Sequence, residues 1–120
     1  MNALSKYVHW LMRLSAAASF FLHGSMKIPA DGFAQGMGLP LAVAWAVALG
    51  ELAVGALLIV GAFTKPVLTR LGGLIAVVIM LGAIFMVHIS KGWNVSTGGA
   101  EFAAILLAVG AYFAVKGNDV

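Results

Sequence analysis

Cysteine is absent from the 120 residues, proline occurs three times, and only 9% of the residues are charged. The missing thiol excludes a disulfide relay, a thiolate metal site and any thiol chemistry carried by the chain itself. The shortage of charge excludes an ordinary soluble domain, in which roughly a quarter of residues are charged. The net charge is +3, but the basic residues are scattered and form no cluster, so nucleic acid is excluded as a partner and lipid headgroups are expected instead. Strict polar/apolar alternation is also missing, which argues against the strands of a membrane barrel.

What the chain has in abundance is hydrocarbon. Hydrophobic residues make up 62% of it and the mean hydropathy is +1.05. Apolar stretches near 10–27, 40–63, 67–89 and 99–116 each approach the roughly 20 residues that cross a bilayer core as helix. Backbone groups in lipid must be satisfied within the segment, which favours helices. The expected fold is all-α, an integral membrane four-helix bundle, with residues 1–120 forming a single transmembrane domain. Lys6 and Arg13 ahead of Ser15–Ser19 resemble a signal peptide, yet the segment is expected to be retained as the first helix.

Basic residues set the orientation. Lys6, Arg13, Lys65, Arg70 and Lys116 flank one side, Lys27 and Lys91 the other, which places both termini in the cytoplasm. Tyr7, Trp10 and Tyr112 then mark the inner interface, and Trp45 and Trp93 the outer one. The predicted location is the inner (plasma) membrane, multi-pass.

Five ionisable side chains, His23, Lys27, Glu51, His88 and Glu101, fall in or at the ends of the apolar stretches. A charge at the bilayer centre costs about 2.5–3.5 kcal/mol on insertion scales, so such groups usually face a protein interior. At a rise of about 1.5 Å per residue, His23 lies on the order of 14 Å from the inner end of its segment and Glu51 roughly 15 Å from the outer end of its own. Glu51 therefore reaches the midplane and must be protonated, paired or hydrated. Lys27 reads either as an interfacial anchor with a snorkelling stem or as a counter-ion for Glu51 or Glu101. His88 and Glu101 sit at the outer boundary and read equally as wet boundary residues or as part of a site. Ser15, Ser19, His23 and Lys27 recur every four residues and predict a polar stripe lining the bundle. Arg13 is expected to snorkel to the inner surface beside Trp10.

Small residues at Ala46 and Gly50, and at Gly72 and Ala76, have the four-residue spacing of close helix contacts. Gly38-Leu39-Pro40 reads as a turn, and Phe33 and Met37 as a short lid in the interface.

Taken in order, an early Arg13, His23-Gly24-Ser25-Met26-Lys27, Gly38-Leu39-Pro40, Gly50-Glu51-Leu52, Gly61 with Thr64-Lys65, His88 and Glu101 resemble the DoxX family of small four-helix membrane proteins. The similarity covers nearly the whole chain and departs at Gly117-Asn118-Asp119, which only partly matches the family's usual ending. The resemblance implies an inner-membrane protein linked to redox chemistry, through association with a quinol oxidase, thiosulfate oxidation or oxidative-stress complexes. Matching polar positions are Arg13, His23, Lys27, Glu51, His88 and Glu101.

The leading mechanistic expectation is a quinone or similar amphipath held in the outer half of the bundle. His23 and Glu51 are the candidate catalytic pair, with His23 hydrogen-bonding a quinone oxygen and Glu51 exchanging a proton. Lys27, His88 and Glu101 complete the candidate binding set and connect it to outside water. Electrons would come from a partner membrane or redox protein, and the enzymatic form of this reading is a quinol oxidoreductase subunit. The alternative is a non-catalytic assembly or stabilising subunit whose polar cluster fixes helix pairing. No HxxxH or ExxH spacing supports a metal or haem at His23 and His88, so no metal site is predicted. Four helices without an inverted repeat make a poor transporter unless the chain forms a homo-oligomer.

Overall fold

The computed structural model describes residues 2–120, and every regular element among them is helical. The elements are α1 (Asn2–Met26), α2 (Ala30–Met37), α3 (Leu41–Phe63), α4 (Pro66–Ala83) and α5 (Glu101–Lys116). α4 runs on through a π-helical turn, Ile84–His88, and a 3-10 turn, Ile89–Lys91, and a second 3-10 turn covers Val95–Thr97. The all-α expectation holds. Two spans, Leu41–Phe63 and Pro66–Lys91, are long and apolar enough to cross a membrane.

The helix boundaries follow local chemistry. α1 begins some eight residues before its apolar stretch, because Asn2–His9 contains neither glycine nor proline and nothing there stops a helix. Pro29 stands at the N-cap of α2 and Gly38, at φ 66°, ends it in the left-handed conformation that glycine adopts without steric cost. Pro40 precedes α3, and Pro66 opens α4 at a position where its missing N–H is not needed. The apolar run over 67–89 hides a change of winding at Ile84, since hydropathy reports burial and not hydrogen-bond register.

α1 packs on α3, α3 on α4 and α4 on α5, while α1 and α5 touch only sparingly. The core runs down the middle of this arrangement as Phe20, Val54, Leu58, Ala76, Leu106 and Phe113. Gly72 and Ala76 do mediate close approach, with different neighbours: a side chain at Gly72 would lie 2.9 Å from Leu57 of α3, and Ala76 fits against Gly110 of α5. Of the other pair, Ala46 is exposed, whereas an added Cβ at Gly50 would lie 3.1 Å from Ile79 of α4. The tightest helix pair involves Gly73, where an added Cβ would lie 2.6 Å from the Gly110 carbonyl and would also strike the Ala114 amide. α2 lies on the start of α3, with Phe33 and Trp45 packed over Ala30, Ala34 and Ala44.

Candidate functional site

Near α2 the long helices leave a chamber of about 520 Å³ among them. Its walls are mainly apolar, with Phe20, Val47, Ile79, Met80, Phe102 and Leu106 contributing, and Phe33 and Met37 of α2 also line it. Small-molecule sites commonly have this size and this balance of apolar wall and few polar groups. Of the five ionisable residues singled out in the sequence, His23, Lys27, Glu51 and His88 line it together.

Glu51 projects from the face of α3 that also buries Val54, Gly55 and Leu58, and it is only 3% exposed. Its partner arrives from α1. Gly24 lets α1 settle onto α3, since a Cβ there would lie 3.0 Å from both the Ala48 carbonyl and the Leu52 side chain. The following turn carries Lys27 to Glu51, Nζ to Oε1 being 2.9 Å, with the lysine side chain 21% exposed. The ammonium also donates to the His23 carbonyl at 3.3 Å and stands 5.3 Å from the centroid of the Phe33 ring. Lys27 thus has the geometry of a counter-ion, and it joins α1, α2 and α3 through one charge. An ammonium has three N–H donors, so one is left for a ligand.

The two imidazoles are held differently. The His23 ring lies 5.9 Å from that of Phe102, tilted by 40°, across the gap between α1 and α5. His88 closes the π-helical turn, and its Nδ1 is 2.7 Å from the Gly98 carbonyl oxygen. A carbonyl only accepts, so Nδ1 carries a proton and donates it there. π-helical turns recur at functional sites, where the extra residue re-aims side chains.

Glu101 is elsewhere. It starts α5, and Oε1 accepts the Val95 N–H at 2.8 Å, which closes the loop between the 95–97 turn and the helix. Its carboxylate is engaged in loop geometry and does not form part of the chamber wall. The polar stripe expected on α1 is also shortened, because Ser15 is exposed and Ala16, Ala17 and Phe20 take the inward face. Only its C-terminal end, His23 and Lys27, reaches the chamber.

A second polar cluster lies halfway along α1, and here the snorkelling expectation fails. Arg13 is fully buried. Its Nη1 donates to the Leu58 carbonyl at 2.6 Å and to Thr69 Oγ1 at 3.1 Å, Nη2 to Asn118 Oδ1 at 2.8 Å, and Nε to His9 Nδ1 at 3.0 Å. The guanidinium also stacks 4.7 Å from the Phe113 centroid. Thr69 donates to Asn118 Oδ1 at 2.6 Å, and Asn118 Nδ2 donates to the Gly61 carbonyl at 2.8 Å. Neutral acceptors from α1, α3, α4 and the tail therefore replace water around the cation. His9, Thr69 and Asn118 were missed in the sequence; the available signals were a polar residue one turn after Pro66 and an amide just beyond the last helix.

A family model, DoxX, matches residues 9–89. Comparison with curated proteins finds no match, and neither does comparison with solved structures. The match covers well over half of the chain and includes Arg13, His23, Lys27, Glu51 and His88. The chain belongs to the DoxX family, and with its apolar helices it is a membrane protein of that family.

Proposed function

We propose that α1, α3, α4 and α5 cross the inner membrane as a four-helix bundle with both termini in the cytoplasm, and that the chamber binds a quinone or quinol for redox-linked work with a partner oxidoreductase. The observation that carries this reading is the Lys27–Glu51 pair, buried beside an apolar chamber that two imidazoles also line. A quinone supplies, when bound, the capacity to carry two electrons and two protons. The free N–H of Lys27 and the His23 ring are suited to hydrogen-bond its oxygens, and Glu51 holds or accepts a proton while Lys27 balances the charge. His88 is anchored to the loop through Nδ1 and the Gly98 carbonyl, which fixes its ring in the chamber wall. The apolar walls and the α2 roof exclude water from these groups.

Mass spectrometry of organic extracts from detergent-purified protein tests this, comparing wild type with Glu51→Gln at matched purity. Quinone near one per chain, lost in the variant, is the expected result. No enrichment over a control membrane protein overturns it. One observation favours a second reading: the ammonium and carboxylate satisfy each other and tie α1 to α3, as a structural fastening in an assembly subunit would. In that case Glu51→Gln changes co-purification with a partner protein and leaves extracted quinone at the control level.

A further inference from the structure

We infer that the chamber is filled sideways from the bilayer, through a window between the outer halves of α3 and α4, by an amphiphile whose hydrocarbon chain lies in that window. This extends the ligand reading above and rests on it only for the identity of the head group.

The two helices are in close contact at Gly50, where an added Cβ would lie 3.1 Å from Ile79. Toward α2 both helices line the chamber. Val43 and Val47 of α3, seven and three residues before Gly50, face the chamber, as do Val78, Gly82 and Met86 on the α4 side. Three of these wall residues are also surface residues: Val43 is 44% exposed, Val78 64% and Met86 62%. At these positions the wall between chamber and surface is a single side chain thick.

Gly82 is the decisive position. It lines the chamber, and a Cβ built there meets no atom within 4 Å, so its missing side chain is clearance and not helix packing. The opening lies between the two spans whose length and apolarity suit a membrane, and its edges carry no polar side chain. Hydrocarbon passes such a window without losing solvation, whereas a water-soluble solute would be stripped of its hydration. Val95 and Phe102 thin the wall elsewhere, but that side carries the polar backbone of the 92–99 loop and suits small polar molecules. Gly82 is therefore a specificity-determining residue for the chain of the ligand, while Lys27, Glu51 and His23 address its head.

The test uses the full chain in detergent and two probes, a benzoquinone without a tail and the same ring bearing a decyl chain. Binding is measured by equilibrium dialysis and corrected for partition into protein-free micelles. Wild type should prefer the decyl compound by about tenfold or more, as expected when added methylenes fill an apolar slot. Gly82→Leu should abolish that preference and leave the tailless ring bound as in wild type, with Gly82→Ala between. Retained binding of the tailless ring shows that the variant is folded. Equal wild-type affinities for the two probes, or a Gly82→Leu that weakens both alike, overturn the window. Should neither ring bind, phospholipid extraction from the same proteins decides the matter. Phospholipid near one per chain in wild type and absent from Gly82→Leu supports the window and refutes only the quinone reading; no bound lipid in either refutes both.

Discussion

Lys27 and Glu51 form one ion pair, yet removing either partner should have very different costs. The carboxylate is 3% exposed and the lysine side chain 21%. In Glu51→Gln the ammonium keeps the His23 carbonyl and the Phe33 ring, and its flexible stem can carry it outward to water. The expected loss is about 1 kcal/mol, the order of one hydrogen bond. In Lys27→Met the carboxylate stays where it is, 3% exposed and without a counter-ion. Breaking a buried pair in that sense costs about 3–5 kcal/mol. The double variant Lys27→Met/Glu51→Gln removes both charges, and its loss should fall well below that of Lys27→Met alone, with a coupling energy of about 2 kcal/mol. The assay is reversible unfolding in mixed micelles as the denaturing detergent fraction rises, followed by helicity and by tryptophan fluorescence. Equal losses in the two single variants, or a larger loss in Glu51→Gln, would refute the argument from unequal burial.

The Arg13 network yields a second stability prediction. Asn118→Ala removes the acceptor of Arg13 and Thr69 and the donor to Gly61, and should cost about 2–3 kcal/mol in the same unfolding assay, given that a buried charged donor loses its partner. Asn118→Asp, which keeps the acceptor for Arg13, should recover part of that loss. A third concerns glycines: Gly73→Ala should destabilise by about 1–3 kcal/mol by forcing α4 from α5, while Gly36→Ala, with open space around it, should be neutral or stabilising by up to about 1 kcal/mol. Thermal shift of the purified variants separates the two.

The chamber was legible in the sequence because charge in an apolar helix has few tolerable surroundings. A carboxylate at the middle of a long apolar run has to be sheltered, and the pairing of Glu51 with Lys27 follows from that need. Glu101 illustrates the limit. Its chemistry is the same, but its place is decided by the path of the 92–99 loop, whose left-handed glycines Gly92 and Gly98 turn the chain so that the Val95 amide meets the carboxylate. No spacing rule encodes that encounter. Arg13 failed for the opposite reason. Snorkelling is a sound default for a cation near a helix end, and it is overridden by acceptors scattered over Leu58, Thr69 and Asn118, two of them ordinary polar residues with no pattern among them. The proposed α3–α4 window was equally hidden, since the valines that edge it look like any lipid-facing valine until they are found lining the chamber.

The clasp on Arg13 also imposes an order in time. A separation of 105 residues lies between the guanidinium and the amide of Asn118 that completes its shell. At about 5–20 residues per second, the ribosome makes the cation on the order of 5–20 s before that amide exists. During the interval α1 cannot hold Arg13 with its full native set of acceptors, and the first helix to be made is among the last to settle. A nascent chain interrupted before its final residues would lack the one acceptor that closes the shell, leaving Arg13 with Leu58, Thr69 and His9 alone.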